Sequence, residues 1–541
     1  MTDIAAYEEE LEPVPPPSST SARSLARAGL VVSAAYLAAR LLGYVRVVVI
    51  GTTFGAGPDL DAFFAAFRIP DLIFQLVAAG AVASAVVPIV SGLIANADAA
   101  RAWRVVSTLT NLMLAGLLVL AVVAFIAAPA LVAWITPGFT GAQLDKTVEL
   151  TRIMLASPIL LTLGAIATSA LNAERRFAAS AVAPIIYNLA IIGAAVLLGP
   201  SMGVTGLAYG VVAGSLGLVG VQLPALRRVG FRYAPRIDVS DDQARKVLVL
   251  MGPRVLGLSA GQVMFVIMTS LASTVAVGAV SAFNIAWSLF QIPMGVISIP
   301  LGIVIFPALS REYAVGNTGM YVALIARATR IILFVMLPIA AIGMALRLQV
   351  VDLLLGYGRF DAAAVTLTAE TLVLFLIGLA PHASIGVVGR AFYARQDTKT
   401  PVALAILAVV INSSLATILV GPLGLPALGL AIAVSAWVEA LLLIWLLARR
   451  EPALDLTGIA SVGLRSLVAA AAAAGIAWAA VQGLSGVVGA DPGKLVVLLE
   501  TIGVTAVAGL AYVAIAFVLR IPELPAMVSV VADLVQRRGR A

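Results

Sequence analysis

The sequence VVSTLTNLMLAGLLVLAVVAFIAAPALVAWI at residues 105–135 contains no charged side chain. About 20 apolar residues in a helix cross a bilayer core of about 30 Å, so this run is long enough to span one. A helix is favoured over a strand because lipid offers no hydrogen-bond partner to an unpaired backbone group. The run therefore predicts a transmembrane helix.

Runs of this kind recur along most of the 541 residues. Hydrophobic residues make up 62% of the chain and charged residues only 11%, whereas soluble globular proteins have about 25% charged residues. We therefore predict an all-α polytopic membrane protein with about 14 transmembrane helices. The predicted spans are 28–52, 60–94, 105–135, 147–171, 178–199, 203–225, 247–273, 278–308, 320–346, 363–391, 401–420, 425–448, 462–484 and 495–519.

The basic residues predict the orientation of these helices. With the N-terminus in the cytoplasm, 22 arginines and lysines fall on the cytoplasmic side, against Lys146, Arg347, Arg359 and Lys494 on the other. Such a bias is typical of membrane proteins, whose cytoplasmic loops are rich in Lys and Arg. Both termini are therefore predicted to be cytoplasmic, and topology accounts for much of the net charge of +7.

The two halves of the chain resemble each other at an offset of about 220 residues. GVTGLAYGVV (203–212) matches GLPALGLAIA (424–433), and Ala62-Phe63 answers Ala282-Phe283. An even number of helices in each copy gives the copies the same orientation, which predicts two six-helix lobes in a parallel pseudo-repeat. The predicted divisions are a disordered cytoplasmic tail (1–25), an N-lobe (26–226), a basic cytoplasmic loop (227–246), a C-lobe (247–450), two further helices (451–520) and a cytoplasmic C-terminal tail (521–541).

The chain has no cysteine and a single histidine, His382. Thiol catalysis, disulfide scaffolds, Cys/His zinc sites and Ser-His-Asp hydrolysis therefore lack their side chains. Since no nucleophile-base pair, metal cluster or phosphate loop appears either, we do not expect an enzyme, and we expect no cofactor, metal or nucleic-acid partner.

Four arginines fall at depths from which lipid excludes charge: Arg40, Arg46, Arg68 and Arg254. An arginine at mid-depth costs at least about 2.5–3.5 kcal/mol and normally faces a cavity or a partner. One interpretation is a set of buried ion pairs that hold the helices together. The interpretation we favour is a cationic, water-filled cavity between the lobes that receives an anionic head group, because the arginines outnumber the nearby acids.

Two acids in the second span lie at depths that match these arginines. At 1.5 Å per residue, Arg40 can approach Asp71 and Arg46 can approach Asp61. We therefore predict that the two acids gate the site or orient its arginines. Arg40 and Arg46 point to different sides of an ideal helix, so both face one site only if the helix bends. The candidate positions for bending are Gly43 and Pro70.

Other polar residues of the predicted spans have open roles. Asn412 is either a contact between helices or part of an ion site. His382 is expected to be a packed polar residue rather than a proton relay. The single intramembrane acids could be proton carriers, helix contacts or residues at shallower depth; they are Glu370, Glu439 and Glu500.

Several segments resemble the MurJ/MviN family of lipid II flippases, in the multidrug/oligosaccharidyl-lipid/polysaccharide exporter superfamily. They are RLLGYVRVVVIGTTFGAGPDLDAFFAAFRIPDL (40–72), GPR (252–254), GYGRFD (356–361) and FYARQDTKTPV (392–402). The resemblance implies that undecaprenyl-pyrophosphate-linked disaccharide-pentapeptide moves from the inner to the outer leaflet of the bacterial cytoplasmic membrane. It also implies alternating access, powered by the membrane potential or an ion gradient.

The resemblance implies roles for particular residues as well. Family arginines match Arg40 and Arg46, a basic residue matches Arg68, and an acid matches Asp61. The arginines would bind the pyrophosphate in a central cavity, with Arg254 as a further contributor, and residues 451–520 would form a groove for the lipid tail. The implied partners are lipid II, membrane lipids and cell-wall synthesis proteins.

Three positions depart from the family pattern. Arginines of well-studied members fall on Phe74 and Ser288, and the acid of a sodium site falls on Ala416, which leaves Asn412 alone. The substrate is therefore open at this point. The alternatives are a flippase or exporter of another undecaprenyl-linked glycan or amphipathic molecule, and a non-transporting scaffold of cell-wall synthesis.

Overall fold

The computed structural model describes residues 19–77, 81–238, 240–488 and 493–527, and within these ranges the chain forms helices and no strand. The first half contains α1 (Ser19–Phe54), α2 (Pro58–Ala66), α3 (Arg68–Val77), α4 (Ala81–Ala95), α5 (Ala99–Ile135), α6 (Gly141–Met154), α7 (Ala156–Ala173), α8 (Phe177–Leu197), α9 (Gly199–Met202), α10 (Val204–Gly220) and α11 (Leu223–Arg228). The second half contains α12 (Asp242–Ser273), α13 (Ala279–Pro293), a π-helical turn (Met294–Ser298), α14 (Ile299–Ala314), α15 (Thr318–Ala345), α16 (Arg347–Leu355), α17 (Ala362–Ile377), α18 (Leu379–Ala394), α19 (Lys399–Leu423), α20 (Pro426–Arg450), α21 (Leu456–Val488) and α22 (Lys494–Val518).

Among the described residues, 11 helical stretches are long and apolar enough to cross a membrane, and the bent pair α17 and α18 makes up to 12. All of them coincide with predicted spans. The predicted span 60–94 is instead divided into the short helices α2, α3 and α4, with residues 78–80 outside the described ranges. The predicted span 247–273 lies within α12. The fold is thus an all-α polytopic membrane protein, and the count of fourteen stays a prediction.

Two predicted boundaries differ from the helix ends. α1 begins at Ser19, inside the tail predicted at 1–25, and residues 1–18 and 528–541 lie outside the described ranges. α12 begins at Asp242, inside the loop predicted at 227–246. The physical reason for this start is a helix cap, because the Asp241 carboxylate accepts hydrogen bonds from the Gln243 and Ala244 amides.

Unusual backbone turns recur in both halves. The paired positions are Ala97 (φ 59°) with Gly316 (φ 73°), Arg175 (φ 56°) with Gln396 (φ 61°), and Gly203 (φ 59°) with Gly424 (φ 64°). In the first pair the next residue caps the following helix in each half, Asp98 on the amide of residue 101 and Asn317 on the amide of residue 320. A positive φ is uncommon for residues other than glycine. Its recurrence at an offset of about 220 residues supports a duplicated architecture.

The last two helices pack on the second half. α21 runs along α15, and α22 contacts both α21 and α16. The Tyr512 hydroxyl donates to the Phe334 carbonyl at 2.6 Å, and Lys494 forms an ion pair of 2.7 Å with Asp352. The interface between the two halves is formed by other helices, chiefly α1 to α5 from the first half and α12 and α13 from the second.

Candidate functional site

A cavity of about 290 Å³ lies between the two halves of the molecule. Helices α1, α2, α3, α8 and α10 line it from the N-lobe, and α12 and α13 line it from the C-lobe. Its polar lining residues are Arg46, Arg68, Asp71, Tyr187, Gln262, Asn284 and Ser288. The structure thus brings together three of the residues singled out in the sequence, two arginines and one acid.

Arg68 crosses from one half of the molecule to the other. Its Nε donates to the Thr269 hydroxyl at 3.0 Å, and its Nη2 donates to the Asn284 side-chain oxygen. The guanidinium also lies 5.0 Å from the centre of the Phe265 ring, within range of a cation–π contact. All three partners are neutral and belong to the second half, so Arg68 joins the lobes. Asp71, one turn further along α3, lines the same cavity and interacts with the charge of Arg68 without forming an ion pair.

Arg46, on α1, lines the same cavity. Its guanidinium is 5.8 Å from the centre of the Tyr187 ring, and among the described residues it takes part in no ion pair. The side chain is half-buried. A half-buried guanidinium that lacks a carboxylate can offer its donors to an anion that enters the cavity.

Arg40 lies outside the lining of this cavity. Its Nη1 donates to the Tyr36 hydroxyl at 3.4 Å, while Nε is buried without a partner. The guanidinium packs on Gly295, where an added Cβ would come within 2.1 Å of Nη2, so a larger residue there would displace the Arg40 side chain. Gly295 belongs to the π-helical turn, a feature often found at functional sites. The side chain of Arg254, the fourth predicted arginine, lies outside the described residues.

The depth of Asp61 suggested an ion pair with Arg46, but Asp61 instead caps a helix of the other half. Its buried carboxylate accepts hydrogen bonds from the Gly278 amide at 2.6 Å, the Ser281 amide at 2.7 Å and the Ser281 hydroxyl at 2.6 Å. The first amides of a helix have no partner within the helix and attract negative charge. Asp61 therefore satisfies the start of α13 across the interface.

Backbone contacts surround this cap and close the same end of the interface. The Arg359 amide donates to the Thr52 carbonyl at 2.9 Å. Gly358 and Gly278 have positive φ, and an added Cβ would come within 2.3 Å of the Thr52 oxygen and 2.6 Å of the Ala56 oxygen, respectively. We call the three contacts Thr52–Arg359, Ala56–Gly278 and Asp61–Ser281 the interlobe seal. GYGRFD (356–361) thus supplies part of it.

Asp71 lines the cavity, and the ion pair with Arg40 that the depths predicted does not form in this structure. α1 runs through Gly43 as one continuous helix, and a bend at Gly43 stays a prediction. Pro70, in contrast, lies in the first turn of α3, one turn after the break at Phe67 that separates α2 from α3.

The other polar residues are distributed as follows. The Asn412 side-chain amide contacts the Met264 sulfur at 3.3 Å, and its oxygen is buried with no hydrogen-bond partner among the described residues. His382 lies against Phe290, with ring centres 5.3 Å apart, and its Nδ1 is 2.9 Å from the Gly378 carbonyl. Of the two positions that lack the family's arginine, Ser288 lines the cavity and Phe74 packs on a hydrophobic cluster of the N-lobe.

Sequence reasoning missed four residues that contact the predicted ones: Thr269, Gly278, Ser281 and Asn284. A signal for two of them lay in the repeat, since Asp61-Ala62-Phe63 corresponds to Ser281-Ala282-Phe283. In a parallel pseudo-repeat, equivalent residues near the axis face each other across it. Asp61 and Ser281 are such a pair, and Asn284 follows directly in the same turn.

Comparison with known proteins agrees with this architecture. A family model described as "Lipid II flippase MurJ" matches residues 50–491. The lipid II flippase MurJ of Burkholderia cenocepacia is 32% identical over 437 residues, which cover 79% of this chain and 84% of the relative. Among solved structures, "Lipid II flippase MurJ, inward closed conformation" matches with a TM-score of 0.75 at 19% identity, covering 90% of this chain and 98% of that one.

A second solved structure extends the likeness to the wider superfamily. The inward-facing conformation of a multidrug resistance MATE family transporter matches with a TM-score of 0.63 at 18% identity, covering 77% of this chain and 95% of that one. At such identities the structural matches show the fold alone. The family model, which matches most of the chain, and the 32% identity to a curated relative show more: this protein is a member of the MurJ family of lipid II flippases.

Proposed function

We propose that this protein moves lipid II from the inner to the outer leaflet of the bacterial cytoplasmic membrane by alternating access. The observation that carries the proposal is the cavity between the lobes, in which Arg46 forms no ion pair with any described residue. The curated relative that matches most of the chain is itself named a lipid II flippase. The protein performs transport and no covalent chemistry.

The cavity is suited to a pyrophosphate. Arg46 offers its guanidinium, and Arg68 contributes positive charge from a position fixed by Thr269 and Asn284. Charge-assisted hydrogen bonds from these groups replace the water around the anion. Asp71 competes for the same cations, which limits how tightly the anion binds and so permits its release. Arg40 and Arg254 would meet the substrate at other stages of its passage.

The interlobe seal is the gate in this proposal. In the orientation that the basic loops indicate, it lies on the outer side, opposite Arg449 and Arg450 at the end of α20. When the lobes separate there, water can solvate the first amides of α13 and the Asp61 carboxylate. The polar contacts of the seal therefore add only the net worth of a few hydrogen bonds to the cost of opening. The apolar packing of α2 on α13 adds to this cost, and the membrane potential or an ion gradient supplies the free energy. Pro70, beside the break between α2 and α3, is the proposed hinge of the gate.

A lipid-linked glycan other than lipid II is the second candidate. It is favoured by Ser288, which lines the cavity where the resemblance implies an arginine and so leaves the cavity less basic. Mass spectrometry of lipid that copurifies with the protein distinguishes the two, because each undecaprenyl-linked glycan has its own mass.

The proposal is tested by lipid II translocation in reconstituted vesicles, with and without a membrane potential. We expect Arg46→Ala to lower the rate at least about tenfold, since charge-assisted hydrogen bonds contribute about 1.5–3 kcal/mol. Arg46→Lys, which keeps the charge, should retain more activity than Arg46→Ala. The matched control is Arg152→Ala, because Arg152 lies away from the cavity and contacts Phe125. Wild-type rates in Arg46→Ala, or no translocation by the wild type, would refute the proposal.

A further inference from the structure

A second, larger recess opens on the side of the molecule that carries α21. It has a volume of about 800 Å³ and lies between α15, α17, the start of α20 and α21. It shares no lining residue with the cavity between the lobes. We call it the lateral groove. Small side chains on α15 and α21 leave the space that forms the groove. They are Ala341, Ala345, Ala471, Ala474 and Gly475.

The groove carries one positive and one negative side chain on otherwise apolar walls. Arg347 donates to the Met344 carbonyl at 3.3 Å, and Glu370 is exposed. Within the described part of the chain, neither forms an ion pair with the other or with any third residue. Glu370 lies eight residues into α17, about 12 Å along the helix, where a charge without a partner is costly in lipid. Among the described residues, Glu370 therefore has no charged partner, and Arg347 has a backbone carbonyl but no acid.

We propose that the lateral groove binds one phospholipid with a zwitterionic head group and a primary ammonium, of the phosphatidylethanolamine class. Since the groove opens to the bilayer, lipid fills it, and the two charges determine which lipid. Arg347 takes the phosphodiester, and Glu370 accepts hydrogen bonds from the ammonium. An anionic lipid would satisfy Arg347 but be repelled by Glu370. A choline head group has the charge but no N–H to donate.

The apolar walls agree with such an occupant. Met344, Leu374 and Leu467 line the groove beside the two charges, and Trp478 is 57% exposed at its edge. Tryptophan is enriched where the apolar and polar parts of a membrane meet, because its ring is amphipathic. The volume also falls within the roughly 300–1,000 Å³ of ordinary ligand pockets. The site does not depend on the transport proposed above, although the orientation proposed there places it in the outer leaflet.

The test is native mass spectrometry of the full-length protein, titrated with phosphatidylethanolamine, phosphatidylcholine and phosphatidylglycerol of the same acyl chains. We expect the wild type to retain phosphatidylethanolamine in preference to the other two. Glu370→Gln should lower its retention about tenfold and abolish the preference, whereas Arg347→Gln should lower retention of all three. Glu500→Gln is the matched control, since Glu500 lies in α22 and lines no part of the groove.

A third variant tests the groove without changing its charges. An added Cβ at Gly475 would meet no atom within 4 Å, so the side chain of Gly475→Phe can occupy the groove without a clash. Thermal unfolding of the variant verifies that it folds normally. It should displace the lipid. The proposal is wrong if phosphatidylglycerol is retained as well as phosphatidylethanolamine, if Glu370→Gln or Gly475→Phe leaves retention unchanged, or if the groove retains only polyprenyl lipid.

Discussion

Asp61 and Ser281 occupy equivalent positions in the two halves of the chain and bond to each other across the interface. Each copy of the repeat supplies a short segment at the start of a helix, but only one copy supplies an acid. The carboxylate of the first copy can thus cap the helix of the second. A symmetric pair of acids would repel, so the difference between the copies is what allows the contact to form.

Replacing Asp61 tests how much this cap contributes. Asp61→Ala leaves the Gly278 and Ser281 amides buried without a partner, at a cost of about 1–3 kcal/mol each, and should lower the melting temperature of the purified protein. Asp61→Asn keeps one carbonyl oxygen and should fall between the wild type and Asp61→Ala. Asp59→Ala is the control, because Asp59 is exposed in the same helix and its loss should change stability by less than about 0.5 kcal/mol.

The residue types indicated which side chains belong to the site, but they did not indicate which residues these side chains contact. Matching depths in two helices suggested that Arg46 meets Asp61 and that Arg40 meets Asp71. Depth alone leaves rotation about each helix axis undetermined, and one residue turns a side chain by about 100°. Arg68 instead binds Thr269 and Asn284, which no local pattern connects to it. Such contacts between distant segments follow from tertiary packing.

At the scale of elements, the FYARQDTKTP segment forms a tight junction between α18 and α19. Gln396 has a φ of 61°, and Asp397 then accepts hydrogen bonds from the Thr400 amide at 3.0 Å and the Thr400 hydroxyl at 2.6 Å. Arg450, at the end of α20, donates to Asp397 at 2.5 Å, while Arg395 pairs with Glu451. The motif therefore joins three helices of the C-lobe at the end remote from the interlobe seal.

The charge of Asp397 gives this junction a predictable pH dependence. Partial burial acts to raise the pKa of Asp397, but the hydrogen bonds from Thr400 and Arg450 outweigh it and hold this pKa well below its usual range. A lowered pKa stabilises the folded state above the unfolded-state value of about 3.9, and this stability is lost as the pH falls through the folded-state value. Between about pH 5 and 8 the contribution should therefore be constant.

Thermal unfolding of Asp397→Asn at several pH values tests this expectation. The variant should melt below the wild type by an amount of about 1 kcal/mol or less, because Arg450 is partly exposed to solvent. The difference should stay the same between about pH 5 and 8. A difference that grows or vanishes within this range would mean that Asp397 titrates there, against the direction of its pKa.

Elements with long apolar runs could be predicted from the sequence, and those with interruptions could not. α5 contains the whole of the predicted span 105–135. The span predicted at 60–94 contains Pro70 and Pro88 and is interrupted within the run, where α2 ends at Ala66 and α3 begins at Arg68. Hydrophobicity records that a segment is apolar but not where its axis breaks, since breaks arise from packing against other helices.

For the whole molecule, the interlobe seal makes the two lobes a single unit at one end. Two of its contacts are close approaches of backbone beside Gly358 and Gly278, and the third is the cap that the Asp61 carboxylate makes. The polar groups of these contacts can exchange their partners for water when the lobes separate. The hydrogen bonds of the seal thus contribute only a few kcal/mol to the closed state, an amount that substrate binding can offset.

Because the chain has no native cysteine, single introduced cysteines can be labelled in cells to determine the orientation of the protein in the membrane. Arg359→Cys and Arg449→Cys, at exposed positions at opposite ends of the molecule, first establish the sides of the membrane. With the orientation proposed here, a membrane-impermeant maleimide added from outside labels Arg359→Cys and leaves Arg449→Cys unlabelled. The reverse pattern would place the seal on the cytoplasmic side.

Ser281→Cys then reports on the seal itself. Ser281 is fully buried against Asp61, so its cysteine variant should react slowly while the lobes are closed. Turnover opens the seal in part of the molecules, and labelling should quicken when lipid II is supplied and slow when its synthesis is blocked. Asp61→Asn weakens the closed state, so in that background labelling should be fast with or without substrate. Because a thiol in a rigid contact would react at one slow rate in every condition, equal rates throughout would show that this contact is structural and that the lobes part elsewhere.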